Sequence, residues 1–332
     1  MTSTNASERD HQSVQETSVA DPGREAKAVL LMAYGSPREP SEIRPYYTHM
    51  RGGREPQPQA LAELERRYQA IGGSSPLQEI TQAQADALRQ ELEHREGARW
   101  RVAVGMKHSH PFIEEAVDEL TAEGTVSAIG LVLAPHFSAM SVGEYISRAK
   151  SAAAKHASPV PVRFVTDWHT DAGYVRWLAA RLREVLAENP GGTGAGTQVI
   201  FTAHSLPASL KEKGDPYPGQ LLETATAVAE EAQLTNWTIA WQSVAKTGEP
   251  WLGPELLDVL RESAASGTTD FVVCACGFTA DHLEILYDLD IEAQAEATRL
   301  GVHLSRTPMP NARPDFVAVL ADLVQAGIAA TP

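Results

Sequence analysis

Residues 198–207 read QVIFTAHSLP. A run rich in β-branched and aromatic side chains, closed by a histidine and shortly afterwards by a proline, spells a short buried strand that opens onto a loop. The same grammar extends in both directions, with strands expected at 29–33, 101–105, 128–134, 160–165, 198–203, 238–242 and 271–276. Amphipathic stretches that read as helices lie between them, at 59–68, 81–95, 112–123, 143–156, 172–188 and 217–232. Short β-rich runs alternating with longer helical ones are the mark of βα units around parallel sheets, an α/β fold. So many strands exceed what one small sheet needs, and the loop NPGGTGAGT at 189–197 lies near the middle, so two similar lobes with a cleft between them are expected. That loop follows a helix and precedes a strand, the reverse of a dinucleotide fingerprint, and reads as a linker.

The chain has 332 residues, of which 43% are hydrophobic, enough to bury a core. Twenty-eight basic residues stand against 43 acidic ones, a net charge of -15 that repels phosphate backbones and anionic lipid and so argues against nucleic-acid and membrane-surface roles. Residues 1–27 are polar and lack the apolar core of a signal peptide, and read as a disordered tail. Elsewhere no stretch reaches the roughly 18 apolar residues that a membrane span needs. Cys274 and Cys276, one residue apart, are too few for a disulfide framework and fit a reducing cytoplasm. With no long exposed apolar stretch, a soluble monomer is expected.

In parallel α/β sheets ligands gather at the carboxyl ends of strands. Those positions here hold Tyr34-Gly35-Ser36-Pro37, Pro135-His136-Phe137-Ser138, His204-Ser205-Leu206-Pro207, and Gly277-Phe278 leading to Asp281-His282-Leu283-Glu284. Tyrosine, histidines and a carboxylate at strand ends make one candidate pocket. An imidazole at position 204 can take a proton or bind a metal, or simply hold the start of a loop. Ser205 lies outside any G-x-S-x-G elbow, which argues against a serine hydrolase. Glu284, Asp288 and Glu292 are four apart, and on an α-helix they advance about 40° per step and form a stripe. Hard oxygen ligands in a row can pass a divalent cation or relay protons; the competing account is a helix cap begun by Asp281 followed by a solvated face. His108-Ser109-His110 reads as a polar strand-to-helix turn, and the two cysteines as buried packing.

The segments LLMAYGSP (30–37), YYTHMRGG (46–53), AIGGSSPL (70–77), LAPHFSAMSVGEY (133–145), TAHSLP (202–207), GDPYPGQL (214–221), WQS (241–243), PWLGP (250–254), GFTADHLEILYDLDIE (277–292) and MPNARPDF (309–316) together resemble the ferrochelatase family. Tyr34 narrows the resemblance to the branch in Gram-positive bacteria that uses coproporphyrin III. The resemblance implies two Rossmann-like lobes with parallel four-stranded sheets, 28–165 and 166–312, the first completed by a C-terminal helix at 313–330. It implies insertion of Fe2+ into coproporphyrin III with release of two protons, in heme biosynthesis, the product coproheme passing to a further enzyme. By the same likeness His204 and Glu284 are the central pair at the porphyrin face, with Tyr34 opposite. Asp288 and Glu292, with Arg67 and Ser243 nearby, would form an outer metal or proton route, and Arg51, Ser75 and Tyr145 would contact propionates. Ser36 stands where close relatives often have threonine and keeps the hydroxyl. No cysteine cluster follows near the C-terminus, so no 2Fe–2S centre is expected. A non-catalytic tetrapyrrole or metal carrier, or a chelatase for another tetrapyrrole or metal, would share the cleft, and turnover separates them.

Overall fold

Lys27–Ala33, KAVLLMA, is an almost unbroken apolar run, as a strand covered on both faces requires, and it forms β1 at the centre of a four-stranded sheet. The computed structural model describes residues 27–245 and 248–329, so the tail expected over 1–27 lies outside the described residues apart from Lys27. With β2 (Trp100–Met106), β3 (Ser127–Val132) and β4 (Val162–Val165), the first sheet has the order β2-β1-β3-β4, every pair parallel. The second sheet repeats the plan: β5 (Thr197–His204) lies between β6 (Trp237–Gln242) and β7 (Asp270–Cys274), with β8 (His303–Arg306) at the edge, again all parallel. The expected α/β fold of two Rossmann-like lobes with parallel four-stranded sheets is therefore what the chain adopts.

The strand HLSR at β8 was not among the expected runs, because four residues with three polar side chains carry no apolar signature. The run expected to continue to residue 276 ends at Cys274, since the Cys276 N–H turns back to the Cys274 carbonyl (2.8 Å) and leaves the ladder. Helices Ile43–Met50, Leu256–Ala265 and Gln294–Leu300 were also not foreseen.

Period-two alternation divides the cores. Ala28, Leu30 and Met32 of β1 face an outer core with Ile113, Val117 and Leu120, whereas Val29, Leu31 and Ala33 face inward. On β5, Ile200 faces the outer core of its own lobe and Val199, Phe201 and Ala203 face inward. The two inward faces belong to one continuous cluster with Trp168, Tyr174, Trp177 and Phe316, so the lobes share a core. The helix Ala172–Glu188, capped by Asp171 whose side chain accepts from the Tyr174 N–H, threads this cluster, and the Tyr174 hydroxyl donates to the Cys276 carbonyl (2.8 Å). The C-terminal helix Pro314–Ala329 lies against β3, β4 and the helices Leu77–Glu96 and Ala172–Glu188. Among the described residues no helix is long and apolar enough to cross a membrane.

Candidate functional site

β5 delivers His204 to the carboxyl end of its sheet, in register with Gln242 of β6. Gln242 serves as the local brace: its carbonyl accepts from the Ser205 N–H (2.7 Å), its Oε1 accepts from Thr202 Oγ1 (2.5 Å), and its Nε2 donates to the Glu284 carbonyl (3.2 Å). Gly277 lets the loop after β7 come close, since a Cβ there would lie 2.5 Å from the Cβ of Ala203. The result is a direct contact between His204 Nδ1 and Glu284 Oε2 at 2.8 Å.

Glu284 sits in a short α-helical turn, Leu283–Leu286, followed by a π-helical turn, Asp288–Ala293, in which the Glu292 N–H reaches back to the Tyr287 carbonyl (2.9 Å). The continuous α-helical stripe read from the sequence is thus corrected: the spacing crosses into a wider i→i+5 turn of the kind often found at functional sites. This turn buries Asp288, half-buries Glu292 and leaves Asp290 exposed. Nor does Asp281 cap the helix; its carboxylate is held by Asn311 Nδ2 (2.7 Å) and Arg306 Nη2 (3.2 Å).

Burial acts on all three ionisable groups, but their neighbours separate them. It would push the His204 imidazole down, yet the Glu284 carboxylate overrides it and holds the imidazole above its ordinary value. Against burial, the same pair holds Glu284 well below the usual carboxylate range. Asp288 is pushed up to about 7 by burial and then by the charge of Glu284, although Ser243 Oγ donates to it (2.5 Å) and Arg67 Nη1 lies 3.3 Å away. Ser243 holds a left-handed backbone, φ 59, a conformation that costs a serine about 1 kcal/mol or more and that clusters at working sites. Two carboxyl groups four residues apart, one firmly ionised and one titrating near neutrality, can divide metal attraction from proton transfer.

Past the end of β1, the Tyr34 phenol is raised well above its ordinary value by desolvation of its hydroxyl and then by the nearby Glu284 charge, so it stays neutral. Its ring lies 4.7 Å from that of His108, and the Lys107 ammonium lies 5.8 Å from the Tyr34 ring and 5.3 Å from that of Tyr145. The polar turn at 108–110 is therefore more than surface. His108, pushed down to about 3 by burial and then by Lys107, is a neutral imidazole at the site wall, with its Nδ1 3.1 Å from that of His49. The strand-end rule that selected Tyr34 and His204 finds His108 as well when it is applied to β2.

His136 departs from the candidate pocket: it is 1% exposed and bonds through Nε2 to Thr224 Oγ1 (2.9 Å) behind the site. Ser36 is buried with its carbonyl bound by Gln78, Ser75 Oγ accepts from the Leu77 N–H (3.3 Å), and Tyr145 is buried in the helix Val142–Ala153. Arg51 ends the helix Ile43–Met50, its guanidinium 5.8 Å from the Tyr47 ring. Ser36 Oγ, Thr48 Oγ1 and Arg51 Nε are buried atoms with no hydrogen-bond partner among the described residues; Thr48 carries no signal in the sequence beyond its place in YYTHMRGG.

The ferrochelatase family model matches residues 26–328. The coproporphyrin III ferrochelatase of Halalkalibacterium halodurans is 43% identical over 303 residues, 91% of this chain and 97% of that protein. Those of Oceanobacillus iheyensis and Bacillus subtilis are each 42% identical, over 89% and 91% of this chain and 95% and 97% of theirs. Among solved structures, SirB from Bacillus subtilis with Fe3+ superposes with a TM-score of 0.55 at 13% identity, covering 92% of this chain and 96% of that one, a likeness of fold alone.

Proposed function

The chain belongs to the ferrochelatase family, and from that premise we propose that it inserts ferrous iron into coproporphyrin III, releasing coproheme and two protons for heme synthesis. The observation that carries the assignment of residues is the His204–Glu284 contact of 2.8 Å at the end of β5, beside the raised carboxyl of Asp288.

Metallation exchanges two pyrrole N–H protons for one dication. His204, made more basic by Glu284, accepts the two protons leaving the pyrrole nitrogens one at a time, each being passed on before the next. Glu284 supplies negative charge where the dication loses water, and the arriving iron opposes protonation of the same pair, driving the proton outward. Asp288, whose carboxyl both takes and loses a proton near neutrality, passes it towards Glu292 and solvent, with Arg67 and Ser243 holding the carboxylate in place. The same oxygens offer iron a hard-ligand route in the opposite sense. Tyr34 presents a neutral phenol from the other lobe. Arg51, Ser75, Ser36 and Tyr145 bind the porphyrin's acidic side chains, a role supported by the buried, unpartnered Arg51 Nε and Ser36 Oγ. Iron is substrate in this scheme. No 2Fe–2S centre is invoked, since such a cluster takes four ligands and the sequence holds only Cys274 and Cys276, both buried. The same proposal has the enzyme working as a single chain in the cytoplasm and passing coproheme to a following enzyme.

Anaerobic metallation followed by absorbance tests this directly, with coproporphyrin III and protoporphyrin IX offered in turn with Fe2+ to the protein and to His204→Ala. Rapid loss of the free-base coproporphyrin spectrum, slow reaction of protoporphyrin and a loss of about 100-fold or more in the variant are expected. Porphyrin binding without metallation, or a fully active His204→Ala, would overturn it.

A further inference from the structure

We infer that Tyr217 and Asp215 are positioning residues for His204 and tie it to the N-terminal lobe; this rests on His204 being the proton acceptor proposed above. The carbonyl of His204, the last residue of β5, accepts a hydrogen bond from the Tyr217 hydroxyl (2.9 Å). Tyr217 is the first residue of the helix Tyr217–Ala232 and is 7% exposed, its ring edge-on to His136 at 6.0 Å and 5.5 Å from the ring of Trp241. The phenol therefore has little freedom, and it grips the backbone of the residue whose side chain meets Glu284.

That grip is anchored across the lobe boundary. Asp215 uses Oδ1 to accept from the Tyr217 N–H (3.1 Å) and Oδ2 to accept from Ser138 Oγ (3.0 Å) and the Ala139 N–H (2.9 Å), both in the loop that follows β3. Gln220 Oε1 accepts from the Phe137 N–H (2.6 Å), and Thr224 meets His136. His136 and Phe137 thus bond to the helix itself, and Ser138 and Ala139 to Asp215 just before its first turn. Since β3 is the neighbour of β1, which leads to Tyr34, the latch sets how far His204 stands from the opposite wall. A reacting group displaced by about 1 Å can lose two orders of magnitude in rate, so one buried hydroxyl has leverage over turnover without touching substrate.

The test is steady-state metallation by Tyr217→Phe and Asp215→Asn beside His204→Ala. Ala225→Gly, on the buried face of the same helix, controls for general loosening. Tyr217→Phe is expected to lower kcat by roughly tenfold with KM for porphyrin and iron within about twofold, because the lost interaction bears on the reacting geometry and not on binding. Asp215→Asn should move in the same direction, and it decides the matter should Tyr217→Phe fail to fold. Wild-type kcat in the foldable variants, or an equal loss in Ala225→Gly at the same Tm decrease, would overturn the positioning role while leaving an inactive His204→Ala as support for the proposed function. A fully active His204→Ala would instead remove the premise, and the positioning role with it.

Discussion

Burial pushes both Glu284 and Asp288 up, yet the two shift in opposite directions, because only Glu284 has an imidazole at 2.8 Å. Glu284→Gln should therefore cost metallation about 100-fold or more, as the variant removes both the negative charge and the group that makes His204 basic, while absorbance titration shows coproporphyrin still bound; near-normal turnover would refute that role. Ser243 offers a finer test, since its left-handed backbone and its hydroxyl can be separated. Ser243→Gly removes the strain and should leave Tm unchanged or slightly raised while turnover falls severalfold, whereas Ser243→Ala keeps the strain and should lower both. Thermal melts paired with metallation rates check this, and a fully active Ser243→Gly would show that the hydroxyl is dispensable. His204 stood out in the sequence because strand ends concentrate chemistry, and Glu284 because it opens a row of carboxylates spaced four apart. The titration of Asp288 did not, because burial and the nearby charge of Glu284 raise it against the opposing contacts of Ser243 and Arg67, and only the folded chain brings these together.

At the scale of elements, residues 283–300 pass from an α turn through a π turn into the helix Gln294–Leu300. The spacing of Glu284, Asp288 and Glu292 reads as an α-helical stripe, and nothing local marks the wider turn. The surroundings show how it is held: Arg66 Nη2 donates to the Tyr287 hydroxyl (2.6 Å), and the guanidinium groups of Arg66 and Arg67 lie 5.4 and 4.8 Å from the Tyr287 ring, contacts from a distant helix that no periodicity encodes. Downstream, Glu296 ties this segment to the helix Leu256–Ala265 through Arg261 Nε (2.6 Å) and to Arg299 (2.6 Å). The hydrogen bonds from Arg299, outweighing burial, and those from Arg261 hold its carboxyl down to about 2. A carboxyl depressed on folding stabilises above its unfolded pKa and loses that contribution as pH falls through the folded one. Glu296→Gln should thus lower stability near neutral pH by about 0.5–1 kcal/mol, the modest value expected when both arginines are largely solvated. Thermal melts should show the gap from wild type narrowing as the pH falls from about 4.5 towards 2; a gap that stays constant over that range would exclude the ion pairs as its origin.

At the scale of the molecule, alternating strands and helices and a glycine-rich loop near the middle were enough to read two lobes. They were not enough to read how the lobes meet, because a helical pattern shows that a face is apolar without showing which sheet it covers. The answer is a single inward core: Phe316, fully buried, has its ring 6.2 Å from Trp168, 6.3 Å from Tyr174 and 5.7 Å from Trp177, within the cluster that also takes in Leu31 of β1 and Phe201 of β5. Lobes joined only by a flexible linker would unfold independently, whereas lobes that share buried side chains lose them together. Phe316→Ala should cost about 3–5 kcal/mol through lost burial and the cavity left behind. It should also shift tryptophan fluorescence and far-ultraviolet circular dichroism by the same amount in one denaturant transition, because both sheets lean on the deleted ring. Two separated transitions, only one of them displaced, would mean that each lobe stands on its own outer core, and that the spacing of His204 from Tyr34 is set by the inter-lobe hydrogen bonds of residues 136–139 in place of the shared interior.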